Sequence, residues 1–589
     1  MIKLKQKNDK IIRRMVLNAA FGIVLMEISG AVTYIIDGII TSRFIGSTAL
    51  SASSMAGFCF TLFAVISGVI SAGAQQICSN DVGKGKVKEA NKTFSAVVFV
   101  TLVLSVLVAL FGIIFPGLVA NLVGASTSDA ELYGYARDYI QGFFIGAPGH
   151  IFIAVLIPEV QLEGKNKLIT ASIAVLTVAD ILGDLLNVLV FHGGMFGMGL
   201  ATSISYFLSA VVLMFAFLRK ESMLKISFKN MSFSAMPSLL NIGLPRATKR
   251  IGNLVRPLVI NRLILIAGGS IAMAAFSVEQ NLRYFTESVG VGIAGAAFLL
   301  VGMFIGEKDG SSLKKTNAVS IRYIIFGVGA LAVVYFIAAP WLAMLYHSTT
   351  SPSYGWAVAV LRCHAVSLPF LAFNEFYISL VQATGKIKLA HFVTFLNKFA
   401  YIVALSFALQ PFGVWGLWLA IPLSEILLCA TIVVVNAVKN AKNPKRKSPF
   451  SLCDDVNENP DSSVELTIEG KDDVFEMNRI VEEFCQKQNM DSKQSYYVQL
   501  FFEEMAMLII DHGFDGKKKY SVAIRIYKDD DSLILRTKDN CRAFTAQEQK
   551  TMYDKSASGE YLGIRMVLGL AKDVKYINTM NINNFIVTI

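Results

Sequence analysis

Asp37 stands inside Met15–Ile45, MVLNAAFGIVLMEISGAVTYIIDGIITSRFI, a stretch long enough to cross a bilayer that also carries Glu27. A carboxylate at mid-membrane costs ~2.5–3.5 kcal/mol on insertion scales, so a chain that keeps one turns it toward protein or water, or lets it reach the headgroups. Asp180, Asp184 and Asn187 pose the same problem inside Leu168–Phe191. Spacings of four and three put them on one helix face. Two carboxyls one turn apart repel each other and lose water together, and both penalties are relieved by a held proton or by Na⁺ with the Asn187 oxygen nearby. The chemistry expected of Asp37, Asp180, Asp184 and Asn187 is therefore binding of a coupling H⁺ or Na⁺.

A second set is basic. Arg246, Lys249, Arg250, Arg256 and Arg262 follow Leu244-Pro245, and Glu279, Arg283 and Glu287 come at i, i+4, i+8. Read structurally, these form an ion-pair stripe that holds helices together. Where Arg246, Arg250, Arg256, Glu279 and Arg283 face a cavity, they favour anionic or zwitterionic cargo.

The elements that position these residues are membrane helices. The 589 residues are 54% apolar and 16% charged, with mean hydropathy +0.54, too apolar for a soluble protein of this size. The formal charge of +11 is accordingly read by position and not as a nucleic-acid footprint. Seven scattered cysteines without CxxC spacing indicate neither a disulfide framework nor a metal site. The basic start MIKLKQKNDKIIRR precedes an apolar run too long for a signal peptide, so residues 1–14 read as a basic N-terminus before a first membrane helix. Twelve apolar runs of spanning length follow one another up to Val438. Alternate loops carry lysine or arginine, as at Lys84–Lys92, Lys165–Lys167, Lys308–Lys315 and Lys386–Lys388, whereas Phe191–Phe196 and His347–Gly355 carry none. The positive-inside rule then puts both termini in the cytoplasm.

The helices repeat. VQLEGKNKL at Val160–Leu168 returns as VQATGKIKL 221 residues on, and GMFGMGLA at Gly194–Ala201 returns as GVWGLWLA 219 residues on. Gly83-Lys84 has a looser counterpart in Gly306-Glu307. Two related six-helix lobes, 15–220 and 221–440, are expected to lie about an axis along the membrane normal, as in transporters that rock two lobes around a site. Pro148, Pro245, Pro257, Pro369 and Pro422 are candidate kinks.

Composition changes at a basic, proline-bracketed linker, 441–461, before a soluble domain at 462–589. Strands are expected at Val464–Ile468, Ser521–Tyr527, Leu533–Thr537, Val574–Thr579 and Phe585–Ile589. Helices are expected at Val474–Lys487, Ser495–Asp511 and Gly563–Ala571, which together make an α+β sandwich.

With its repeated halves, the Asp37-to-Gly46 segment and the acids of its fifth helix, Ile11–Val438 resembles the multidrug and toxic compound extrusion (MATE) family. That resemblance implies a bacterial cytoplasmic-membrane antiporter, a monomer among membrane lipids, which exports small organic solutes as H⁺ or Na⁺ enters. In the prokaryotic members it resembles, the first-lobe acids bind the coupling ion. Asp180 departs from the asparagine usual there, which bears on the ion used. The segments around Glu503-Glu504, Asp539-Asn540-Cys541 and Leu562-Gly563 are similar to the anti-sigma-factor kinase branch of GHKL ATP-binding domains. The resemblance implies a nucleotide site built from Glu504, Asp539, Asn540 and Gly563. Leu508 stands where that family has its Mg²⁺-binding asparagine, Cys541 where it has the adenine-box glycine, and Glu560-Tyr561 where glycines are expected. The domain thus reads as a degenerate relative that regulates transport, with a cytoplasmic protein as partner, and not as an enzyme. No metal and no cofactor beyond the coupling ion is required, and ATP is at most an accessory ligand. The alternatives are a lipid-linked saccharide flippase of the same superfamily and a membrane sensor that signals through the C-terminal domain.

Overall fold

In hydrocarbon every backbone N–H and C=O must bond within its own segment, so each apolar run folds as a helix. The computed structural model describes residues 2–125, 127, 129–218, 222–442, 463–514, 520, 522–529, 532–544, 548 and 562–589. Residues 443–461 of the expected linker, with Glu560 and Tyr561, lie outside the described residues. The first lobe contains α1 (Ile2–Phe44), α2 (Ser47–Gly83), α3 (Val87–Ile114), the short α4 (Pro116–Leu122), α5 (Ala130–Ile145), α6 (Ala147–Leu162), α7 (Asn166–Leu186) and α8 (Gly194–Leu218). Helices α5 and α6 form one crossing bent by 49°, with Pro148 in the first turn of α6.

The second lobe begins with α9 (Met236–Gly306), 71 residues whose hydrogen-bonded run hides a turn. Gly269, at φ 61° and ψ −155°, adopts a backbone that only glycine takes easily. Across the turn Gln280 donates to Asn261 at 3.1 Å, so the two arms run side by side. Then come α10 (Gly310–Arg322), α11 (Gly329–Met344), α12 (Pro352–Ala383), α13 (Ile387–Phe395), α14 (Tyr401–Leu409) and α15 (Gly413–Lys442). The 55 residues of Ile387–Ala441 would reach about 80 Å as one helix, against a hydrocarbon core of ~30 Å. The 3₁₀ turn Gln410–Phe412 and Gly413 at φ 63° fold them into two crossings, whose arms meet where the Tyr401 and Thr431 hydroxyls lie 3.1 Å apart. The described residues thus make twelve crossings in two six-helix lobes.

The lobes meet along α1, α2 and α9. A methyl group on Gly83 would overlap the Met303 carbonyl, and one on Gly306 the Asn80 carbonyl, so the two backbones touch directly. Gln76 Nε2 also donates to the Ala383 carbonyl at 2.6 Å across the lobes. These contacts gather at the end of the bundle that carries the lysine-bearing loops.

The C-terminal domain is a five-stranded antiparallel sheet of β1 (Ser463–Ile468), β2 (Val522–Asp529), β3 (Ser532–Asp539), β4 (Asp573–Thr579) and β5 (Ile582–Thr588), in the order β1-β2-β3-β5-β4. Helices α16 (Lys471–Lys487), α17 (Ser492–Gly513) and α18 (Leu562–Leu570) complete it. These elements lie where the sequence patterns put them, apart from end shifts of a few residues. Alternation along the strands sends Ile524, Ile526, Leu535, Phe585 and Val587 into the core shared with the helices. The residues between them face the other way. A free antiparallel sheet would leave that second face in water. Here Ile577, Met580, Ile582 and Ile586 join the apolar core of the membrane lobes instead.

Candidate functional site

The acids of the first lobe converge where α1 runs beside α7. The hydroxyls of Ser29 and Thr177 touch across this seam, and two turns further along Asp37 approaches Asp184. Asp184 is fully buried, and neither of its carboxyl oxygens has a hydrogen-bond donor. Asp180, also buried, accepts from Ser205 Oγ at 3.0 Å, while its second oxygen has no donor. The buried Oδ1 of Asp37 likewise has none. Tyr139 and Tyr206 stand next to the group. Among the described residues no lysine, arginine or histidine pairs with any of the three carboxyls. Ionised carboxylates only accept hydrogen bonds, so Asp37 and Asp184 can bond to each other only through a proton.

Asn187 begins a π-helical turn, Asn187–Phe191, at the end of α7. Its Oδ1 accepts from the Gly193 N–H at 3.1 Å and its Nδ2 donates to the Gly194 carbonyl at 3.0 Å. Gly197 leaves the space that the amide fills. Asn187 therefore joins α7 to α8 one turn beyond Asp184.

The charged residues of the second lobe pair among themselves. Arg283 Nε meets Glu287 Oε1 at 2.6 Å, but Glu279 turns away from that stripe toward His364 Nδ1 at 3.1 Å. The His364 ring also meets Thr286 Oγ1 at 2.9 Å. Arg256 is buried among Arg283, Glu425 and Glu279, Arg246 stacks on Phe298 at 5.4 Å, and Arg250 is exposed. Glu375 receives both Lys249 at 2.7 Å and Lys398 at 2.6 Å, and Glu425 receives the amides of Asn374 and Asn397. Glu375, Lys398 and Glu425 are not among the charged residues expected from the sequence. Each is a charge inside an apolar run of α12, the π turn Leu396–Ala400 or α15, the same signal that marks Asp37.

In the C-terminal domain, α17 carries Glu504 against Gly563, whose missing side chain admits the carboxylate. Asp539 ends β3 fully buried and accepts from the Cys541 N–H at 2.9 Å and from Asn583 Nδ2 at 2.8 Å. Burial pushes its carboxyl up to about 6, against these bonds, which favour the charged form. Asn540 follows at the strand end. Leu508 is part of the apolar core and offers no oxygen, so these residues do not fit the Mg²⁺ that accompanies a nucleotide in GHKL domains. Among the described residues of this domain no cluster of histidine, cysteine and carboxylate side chains could hold a metal ion.

Comparison with known proteins agrees with both parts of this architecture. The Histidine kinase-like ATPase domain family matches residues 469–588. Multidrug export protein MepA of Staphylococcus haemolyticus is 24% identical over 421 residues, covering 70% of this chain and 91% of that protein. The probable multidrug resistance protein NorM of Photorhabdus laumondii is 22% identical over 338 residues, covering 55% and 72%. A MATE crystal structure in complex with MaL6 and an outward-facing MATE transporter of the MOP superfamily each superpose with TM-score 0.68 at 17% identity. Both cover 74% of this chain, and 98% and 97% of their own. The MatE family itself matches twice, at residues 23–188 and 245–408, once in each six-helix lobe, and the chain belongs to that family of multidrug efflux transporters.

Proposed function

We propose that the chain is a cation-coupled antiporter that exports small organic solutes across a bacterial cytoplasmic membrane, with both termini in the cytoplasm and with transport regulated by its C-terminal domain. The observation that carries this reading is the group Asp37, Asp180 and Asp184: three converging carboxyls, low in hydrogen-bond donors and without a basic partner among the described residues. Such a group is stable when it shares a proton or holds a cation, and it gains or loses that ion as the lobes expose it to one side or the other. Asn187 positions the group by fixing the end of α7. The relatives' names speak of multidrug export and of multidrug resistance, which supports organic cargo. The pairing of Lys249, Lys398 and Arg283 with carboxylates leaves less free positive charge for an anionic cargo than the basic sequence suggests. Leu508 supports a regulatory role for the C-terminal domain, since it removes the metal ligand that a GHKL ATPase needs.

The test replaces Asp37 by asparagine. Asp37→Asn should insert and fold, because it removes a charge that is costly in the membrane. It should abolish ethidium transport driven by an imposed pH or Na⁺ gradient in proteoliposomes. Transport by this variant at the wild-type rate would refute the assignment.

A further inference from the structure

The outer face of the C-terminal sheet carries Arg525, Arg536 and Lys538, and it lies against the α9–α10 loop, which carries Glu307 and Asp309. At the position where the first lobe has Gly83-Lys84, the second has Gly306-Glu307, followed by Asp309. Arg536 of β3, 4% exposed, meets Glu307 at 3.0 Å, and its other Nη donates to the Gly83 carbonyl of the first lobe at 2.7 Å. Lys538 pairs with Glu307 and with Asp309, the latter at 2.7 Å. Burial alone would raise the Asp309 carboxyl, but Lys538 and Arg525 hold it well below the usual carboxylate range. Arg525 of β2 donates to the Lys308 carbonyl at 2.8 Å.

A second contact, on the first lobe, comes from the β4–β5 hairpin. Thr579 Oγ1 and the Met580 N–H both donate to the Leu162 carbonyl, at 2.7 and 3.1 Å, and Asn581 Nδ2 donates to Gly164 O at 2.8 Å. Met580 and Asn581 have φ of 54° and 59°, the left-handed pair of a tight hairpin turn. Methionine is a poor residue for that conformation, and its side chain is buried with the lobes' core.

We propose that this sheet face is a docking surface for the cytoplasmic mouth of the same transporter, and that by gripping loops of both lobes at once it locks the mouth closed. The inference rests on the antiporter reading and names the means of its regulation. Opening to the cytoplasm requires the lobes to part where Gly83 and Gly306 bring α2 and α9 into backbone contact. Arg536 spans that seam, and the hairpin and β3 hold opposite sides of it. The lobes cannot separate there until one set of contacts breaks.

The test uses the full chain with its native cysteines replaced by serine and Ser79→Cys as reporter. Ser79 is fully buried against Gly302 of the other lobe, so a maleimide reaches it only when the mouth opens. Arg536→Ala with Lys538→Ala should accelerate labelling roughly fivefold or more, the low end of coupling between two sites. Arg536→Lys, which keeps a positive donor for Glu307 and the Gly83 carbonyl, should label far more slowly than Arg536→Ala, a rescue that misfolded protein would not show. Labelling at the wild-type rate in the folded double variant would overturn the proposal. Labelling needs neither cargo nor ion gradient, so acceleration in a chain that ignores imposed gradients supports the lock and counts against the antiporter reading alone. Gradient-driven ethidium flux with unchanged labelling overturns the lock alone.

Discussion

Asp184 has no donor for either oxygen, whereas Glu375 has a lysine on each, and on the proposed function that contrast marks Asp184 for ion binding and Glu375 for structure. Removing Glu375 leaves two ammonium groups buried without their shared partner. Glu375→Ala should therefore destabilise the second lobe by about 3–5 kcal/mol, read as a lowered unfolding temperature in detergent. Asp184→Asn should leave that temperature unchanged or raise it, while gradient-driven transport is lost. The acids were legible in the sequence because a charge inside an apolar run stands out. That Asp37 meets Asp184 was not, since the two lie 147 residues apart on helices whose pairing no periodicity reveals. Ser205, Tyr139 and Tyr206 gave no signal, because hydroxyl and phenol groups are ordinary in membrane helices until their neighbours are known.

At the level of elements, the apolar runs and the loop charges specified the crossings, and the places where chain direction reverses were marked by glycine. Gly269 and Gly413 both sit in loops without lysine or arginine, and both take positive φ. The glycines of α2 and α9 act differently, since their lack of a side chain brings two helices into backbone contact. Gly306→Leu has no space against the Asn80 carbonyl, so the helices must move apart. Overpacking of this kind costs typically about 1–3 kcal/mol, and the variant should show a lowered unfolding temperature together with faster labelling of Ser79→Cys. A thermal transition equal to wild type, with slow labelling, would mean that α2 and α9 are not closely packed. The sheet's strand order follows from its antiparallel pairing, but its outer face was hidden from sequence reading. Arg525, Arg536 and Lys538 occupy strand positions that look like ordinary solvated charges, and the α9–α10 loop gives each of them partners, Glu307 and Asp309 for Arg536 and Lys538 and the Lys308 carbonyl for Arg525.

The whole molecule joins a two-lobed transporter to a sheet domain that contacts both lobes at one mouth. In the functional reading, the energy for transport comes from an ion gradient, and the domain governs how readily the mouth opens. Leu508 offers no oxygen ligand at the position where GHKL domains carry their Mg²⁺-binding asparagine. The most direct test is ethidium flux by the full-length chain in nucleotide-free proteoliposomes, with a pH or Na⁺ gradient imposed across the membrane. Flux should follow the gradient, reverse when the gradient is reversed and need no ATP. Flux that is absent under either gradient and begins only when Mg-ATP reaches the C-terminal domain would contradict the antiporter reading.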